Sequence, residues 1–204
     1  MSKKPVIVFE GIEGSGKTYH SNLVTKYLKK KKVNFIKLRE PGGSKNSEKI
    51  RKLILRKESN FDRYTDLLLY LAARNENLIR LKKHYKKRII IIDRFTDSTI
   101  AYQHYGLGVD LSLIRSLNNY FLKSFKVNFT FLNIVNKENM KKRLSLRKNL
   151  NRYDKFKYTF YNKVQKGYLG IAKKNANKYQ IIDSNLDISV NEKLIIDKIK
   201  KLIK

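Results

Sequence analysis

Eight consecutive residues, Gly11-Ile12-Glu13-Gly14-Ser15-Gly16-Lys17-Thr18, fill every position of the pattern G-x-x-x-x-G-K-S/T. They lie between an apolar run at residues 6–9 and a helical stripe of His20, Leu23, Val24, Tyr27 and Leu28. Glycines at the turning points let backbone N–H groups converge on one concavity, and the helix that follows adds the positive end of its dipole. The segment therefore predicts a cradle for polyphosphate, with all eight residues around it. Lys17 is placed to reach the β- and γ-phosphates, and the Thr18 hydroxyl to join the shell of a Mg²⁺ ion. Asp93, which closes the apolar run 89–92, is the carboxylate expected to hold that ion directly or through water.

Arginine adds a second signal. Lysine is the default cation of this chain, 35 lysines against 12 arginines. Yet arginine stands at Arg39 and Arg94, directly after predicted strands, and at Arg74, Arg143, Arg147 and Arg152. A guanidinium grips phosphate through two parallel hydrogen bonds, whereas an ammonium is a point charge. Arginines grouped around a ligand edge point to a second phosphate beside the first.

The elements that must position these residues follow from the hydrophobic pattern. Apolar runs at residues 6–9, 33–38, 89–92, 127–135 and 179–182 read as strands, separated by segments of helical period. Among these are Ile50, Leu53 and Ile54; Tyr64, Leu67, Leu68 and Leu71; Leu113, Ile114, Leu117 and Phe121; and Leu194, Ile195, Ile199 and Leu202. Short apolar strands alternating with helices predict an α/β fold, a three-layer sandwich around a five-stranded parallel sheet. Ligands of such sheets bind beyond the carboxyl ends of the strands, here residues 11–18, 39–43, 93–103 and 183–184.

Composition narrows the alternatives. The chain has 204 residues and no Pro/Gly/Ser-rich linker, so one domain is expected over residues 1–204. No run approaches the length needed to span a bilayer, and no leader-like segment precedes the first strand, so a cytoplasmic protein is expected. Cysteine is absent, which excludes disulfides and thiolate chemistry, and the three histidines are scattered. The net charge of +30 suggests nucleic acid, but the lysines run along the whole chain together with abundant Ile, Asn, Tyr and Phe. That mixture reads as A/T-rich coding that loads solvated surfaces with lysine. A guanine-specific switch protein is disfavoured, because Asn136-Lys137-Glu138-Asn139 and Asn177-Lys178-Tyr179-Gln180 both lack the aspartate of an N-K-x-D base reader.

Five segments together resemble a known family: Phe9-Glu10-Gly11, the phosphate cradle, Arg39-Glu40-Pro41-Gly42-Gly43, the run Leu67-Leu68-Leu69-Tyr70-Leu71-Ala72-Ala73-Arg74, and the run from Asp93-Arg94-Phe95 to Ala101-Tyr102-Gln103. In order and spacing they are similar to the signatures of bacterial thymidylate kinases, over about residues 5–185. The resemblance implies a P-loop fold with a helical lid at about residues 143–155, ATP and dTMP as substrates, Mg²⁺ as cofactor and a homodimer. It implies that Arg39 and Arg94 hold the dTMP phosphate and that Arg74 bonds the thymine edge. Tyr70, where the family has phenylalanine, stacks on the base. Pro41 packs near the thymine methyl, and Ser98, Thr99 and Gln103 line the base pocket. Tyr102 presses on the sugar where a 2′-hydroxyl would project, and Glu13 touches the 3′-hydroxyl and the metal. In the lid, Arg143 lies beside adenine, and Arg147 or Arg152 stabilises the phosphoryl group in transfer. Lys148 and Asn151 depart from the family's glycine and aspartate there, so both arginines stay candidates.

A phosphate monoester is largely dianionic near neutral pH, so no general base is needed, and catalysis reduces to alignment and charge neutralisation by Lys17, Mg²⁺, Arg94 and a lid arginine. Two rivals are a deoxynucleoside kinase using Glu40 as base on a neutral hydroxyl, and a nucleic-acid-binding P-loop ATPase.

Overall fold

The computed structural model describes residues 4–203. Five strands, β1 (Val6–Gly11), β2 (Phe35–Arg39), β3 (Ile89–Asp93), β4 (Phe129–Ile134) and β5 (Tyr179–Asp183), form one parallel sheet in the order β2-β3-β1-β4-β5. Every residue of β1 is buried, as is every residue of β3, because each has a neighbour on both edges and helices over both faces. That double covering is why these strands read as unbroken apolar runs. The edge strand β5 is half-buried and mixes Gln180 with apolar residues. The second run starts its strand two residues later than expected, at Phe35.

Side chains alternate between the faces. Ile7 and Phe9 meet Val24 and Leu28 of α1 (Lys17–Lys30) and Ile195 and Ile199 of α8 (Ile188–Ile203) on one side. Val6 and Val8 meet Leu78 and Leu81 of α3 (Arg63–His84) on the other. Between β2 and α3 lies α2 (Lys45–Leu55), capped by the Ser44 hydroxyl. After β3 the chain makes a short α4 (Thr96–Thr99) that runs into a π-helical segment, Ile100–Gly106, and then α5 (Leu111–Leu122). A further core cluster joins Tyr102 of the π-helical segment to Phe160, Val164 and Tyr168 of α7 (Tyr158–Lys174).

The lid is helical only in part. It comprises the end of α6 (Lys137–Ser145), an irregular stretch and one 3₁₀ turn, Arg152–Lys155. Asn151 caps that turn with its side chain while Asp154 bonds back to the Asn151 N–H, so a short turn rather than a full helix satisfies the backbone. The stripe read on α3 is also split: Leu67 and Leu71 are buried, but Tyr64 and Leu68 are exposed, and Ile79 lies exposed further along the helix.

Candidate active site

The cradle forms where β1 ends and α1 begins. Gly11 has φ 143°, and a Cβ there would come within 2.3 Å of the Asn133 carbonyl oxygen, so only glycine lets the loop leave the sheet this way. Gly16, with φ 82°, stands before the first residue of α1 in the left-handed region. The Lys17 ammonium donates to the Ile12 carbonyl at 3.1 Å, folded along the loop. Burial and the neighbouring Arg94 charge bring the Lys17 pKa down to about 8. The Thr18 hydroxyl donates to Asp93 Oδ2 at 2.6 Å, bringing together the two oxygen groups expected around a metal.

No group of three or more His, Cys, Asp or Glu able to hold an ion stands together among the described residues. A hydroxyl and a single carboxylate beside a phosphate cradle fit Mg²⁺, which keeps its waters and is carried largely by substrate phosphates.

β3 ends one strand away, and there Arg94 adopts φ 67°, a left-handed conformation unusual for a residue with a side chain. Its N–H is fixed to the Phe9 carbonyl at 2.9 Å. Its guanidinium donates to Glu13 at 2.8 Å, to the Tyr102 and Tyr168 hydroxyls at 3.2 Å each, and to Ser98 at 3.4 Å. Burial works to raise the Glu13 carboxyl, but Arg94 and Lys17 outweigh it and hold it below the usual carboxylate range. Beneath this cluster, Glu10 is fully buried and receives the Phe95 N–H at 2.8 Å and the Ser98 hydroxyl at 2.6 Å. Burial, with the nearby Asp97 charge, pushes its pKa up to about 7.

One cavity of about 180 Å³ joins these parts. Of the sequence-predicted residues it is lined by Glu13, Lys17, Thr18, Arg39, Pro41, Tyr70, Asp93, Arg94, Ser98, Tyr102, Gln103 and Arg147. Arg39 is held by Glu48 of α2 at 3.1 Å. Tyr70 lies in the wall, its hydroxyl pushed up to about 12 by burial.

Other predicted residues lie off this cavity. Ile12 belongs to the core and Ser15 is buried, as loop residues whose side chains point inward while their backbone faces out. Arg143 clips the cradle to the loop after β5, donating to the Gly14 carbonyl at 2.9 Å and the Ser184 carbonyl at 2.6 Å. Arg74 and Thr99 form the layer behind the wall. The Arg74 guanidinium, 2% exposed, donates to Glu40 at 2.8 Å, Asn118 at 2.7 Å and Thr99 at 2.9 Å. Arg74 thus meets the cavity through Glu40 rather than directly. The two remaining lid arginines separate cleanly: Arg147 lines the cavity, paired with Asp154 at 2.9 Å, while Arg152 turns away to pair with buried Asp66.

Five lining residues were not singled out as substrate contacts from sequence: Glu40, Arg51, Leu55, Asn151 and Tyr153. Arg51 donates to the Pro41 carbonyl at 2.7 Å and stands in a lysine-rich chain, so the rarity of arginine was the signal that would have found it. Glu40 carries a buried oxygen, Oε1, without a hydrogen-bond partner; burial outweighs Arg74 and raises its pKa.

Known proteins agree with this geometry. A family model described as thymidylate kinase matches residues 9–195. A thymidylate kinase of Sulfurihydrogenibium sp. is 39% identical over 198 residues, covering 96% of each chain. One of Wolbachia pipientis subsp. Culex pipiens is 40% identical over 201 residues, covering 96% of this chain and 95% of that one. The crystal structure of a thymidylate kinase from Ehrlichia chaffeensis superposes with a TM-score of 0.78 at 34% identity, over 97% of this chain and 99% of the other. Likeness of this extent, end to end and in both sequence and fold, makes the chain a member of the thymidylate kinase family.

Proposed function

We propose that the chain performs the transfer its family is named for, moving the ATP γ-phosphate to dTMP to give dTDP and ADP, in the cavity lined by Lys17, Asp93 and Arg94. The observation that carries this assignment of residues is the convergence of a phosphate cradle and the guanidinium groups of Arg39, Arg94 and Arg147 on one cavity. The cradle amides, Lys17 and Thr18 hold the donor, with Arg143 bracing the loop beside it. Arg39 and Arg94 grip the acceptor phosphate. Tyr70 offers a π-face to the thymine, with Pro41, Ser98 and Gln103 around the base. Tyr102, fixed by Glu13 and Arg94, closes the space beside the sugar.

Thr18 and Asp93 would hold a magnesium ion brought with ATP, which would supply positive charge to offset that of the phosphates. The protein's own residues do the rest. The acceptor oxyanion needs no base, so Arg94 and Lys17 orient two polyanions and offset their repulsion. Between the lid arginines, Arg147 is the one that stabilises the phosphoryl group, since it lines the cavity while Arg152 is engaged by Asp66.

A single domain serves both nucleotides. Among the described residues no helix is long and apolar enough to cross a membrane, and we place the enzyme in the cytoplasm with its substrates. The exposed Tyr64, Leu68 and Ile79 on α3, beside Leu113 and Tyr120 on α5, are the surface we assign to a second copy of the chain. Exposed apolar residues gathered on neighbouring helices are characteristic of self-association.

The test is a panel of nucleoside monophosphates, and thymidine, supplied with ATP and Mg²⁺ while ADP release is followed. Rapid turnover of dTMP is expected; activity on thymidine but not dTMP overturns the proposal.

A further inference from the structure

Asp66 lies in the first turn of α3, is 1% exposed, and touches neither the cradle nor the acceptor arginines. A carboxylate buried this deeply must be satisfied by donors. Its Oδ1 pairs with the Arg152 guanidinium. Its Oδ2 accepts from the Tyr153 hydroxyl at 2.7 Å and from the Gln103 side-chain amide at 3.3 Å. Two of the three donors belong to the lid, and the third belongs to the base end of the cavity. The Tyr153 ring also packs edge-on against Tyr70 and Tyr102, with centroids at 6.3 and 5.8 Å, so the seated lid becomes part of the cavity wall.

We propose that Asp66 is a positioning residue that ties closure of the lid to occupation of the base pocket. A side-chain amide has two N–H groups; Gln103 directs one to Asp66 and has the other for a base. A base that engages Gln103 fixes this amide, and the fixed amide orients the Asp66 carboxylate to receive Arg152 and Tyr153. Seating that turn brings Arg147 to the cavity, four residues before Asn151 and paired with Asp154 in the same turn. The acceptor thereby helps to assemble the catalytic lid. The Arg152 guanidinium also donates to the Tyr153 hydroxyl at 3.1 Å, so both lid donors and the carboxylate form one cluster.

This inference rests on the acceptor and lid assignments above, and the two fail separately. The variant is Asp66→Asn, similar in size but presenting N–H groups to the Arg152 guanidinium. Trypsin cleavage after Arg147 and Lys148 is followed with and without dTMP, alongside calorimetric dTMP binding and steady-state kinetics. In the native protein dTMP slows cleavage by about tenfold or more, because it favours the seated lid. In Asp66→Asn the protection is lost, dTMP affinity weakens by about the same tenfold that linkage ties to it, and kcat falls on the order of tenfold to a hundredfold.

Retention of both protection and kcat in the variant overturns the proposal. So does loss of dTMP binding in step with a lowered Tm, which is a structural role alone. If Asp66→Asn does not fold, Arg152→Gln cuts the same link from the lid side, and undiminished protection there is equally contrary. A native protein that makes no dTDP refutes the underlying site assignment instead.

Discussion

The strand ends and the lid both present cations to the same cavity, but they hold them by different means. At the strand ends, position comes from the backbone: Arg94 follows β3 with its N–H pinned to β1, and Lys17 is the first residue of α1. The side-chain partners of Arg94 are the buried Glu13 carboxylate and Tyr102 hydroxyl. In the lid, Arg147 is 37% exposed, on an irregular stretch, with Asp154 as its ion-pair partner. On the assignment proposed above, the rigid region defines where the phosphates lie, and the loosely held one supplies charge when transfer begins. A cation fixed by sheet register is ready before substrate arrives, whereas one carried on a single turn depends on that turn being seated.

Several substitutions break or sharpen this contrast. Lys17→Ala removes a rigid element used by both ground and transition states, so kcat/KM for ATP should fall by on the order of 10³ or more in an ADP-release assay. Arg147→Ala should lower kcat by about 10²-fold or more, by analogy with arginine fingers, and leave the dTMP KM within about threefold. Arg152→Ala acts only through seating of the turn, with an expected loss in kcat of about tenfold. A larger loss for Arg152 than for Arg147 would reverse the assignment of roles in the lid. Tyr70→Phe keeps the ring and should change kcat/KM for dTMP by less than about threefold.

The smallest effect concerns stability and pH. With its folded pKa raised to about 7, Glu10 keeps a proton that the unfolded chain has already released. The native state therefore binds more protons between the ordinary carboxylate value and 7, and stability declines as pH rises through that window, by up to about 1.4 kcal/mol per unit. Glu10→Gln should flatten the decline in denaturant unfolding series run from pH 5 to 8. An unchanged slope would mean that Glu10 is already ionised beneath Arg94.

The same contrast explains what could be read from sequence. Strands covered on both faces have to be apolar throughout, so β1 and β3 were legible as runs, and the residues after them as ligand edge. The order of strands in the sheet is not written in any local pattern. On α3, Tyr64 and Leu68 share the periodicity of Leu67 and Leu71, and nothing local distinguishes a face turned to the core from one left open. In the site, Arg39, Asp93 and Arg94, whose positions follow from strand register, line the cavity. Arg51 and Leu55, which reach in from α2, were missed because no local pattern says which side of that helix meets the cavity. Arg74 and Arg152 were recognised as unusual, but only the fold reveals that Glu40 and Asp66 engage them.

The strand order has a consequence for how such an enzyme changes over time. β1 is the median of the sheet: β3 and β2 on one flank carry Arg94 and Arg39, while β4 and β5 on the other lead to Ser184, against which Arg143 braces the cradle. On the assignment proposed above, the guanidinium groups for the acceptor phosphate and the brace of the donor cradle thus descend from opposite wings of the sheet. A change of acceptor is then to be sought in the loops after β2 and β3, and a change in the hold on ATP in those after β4 and β5.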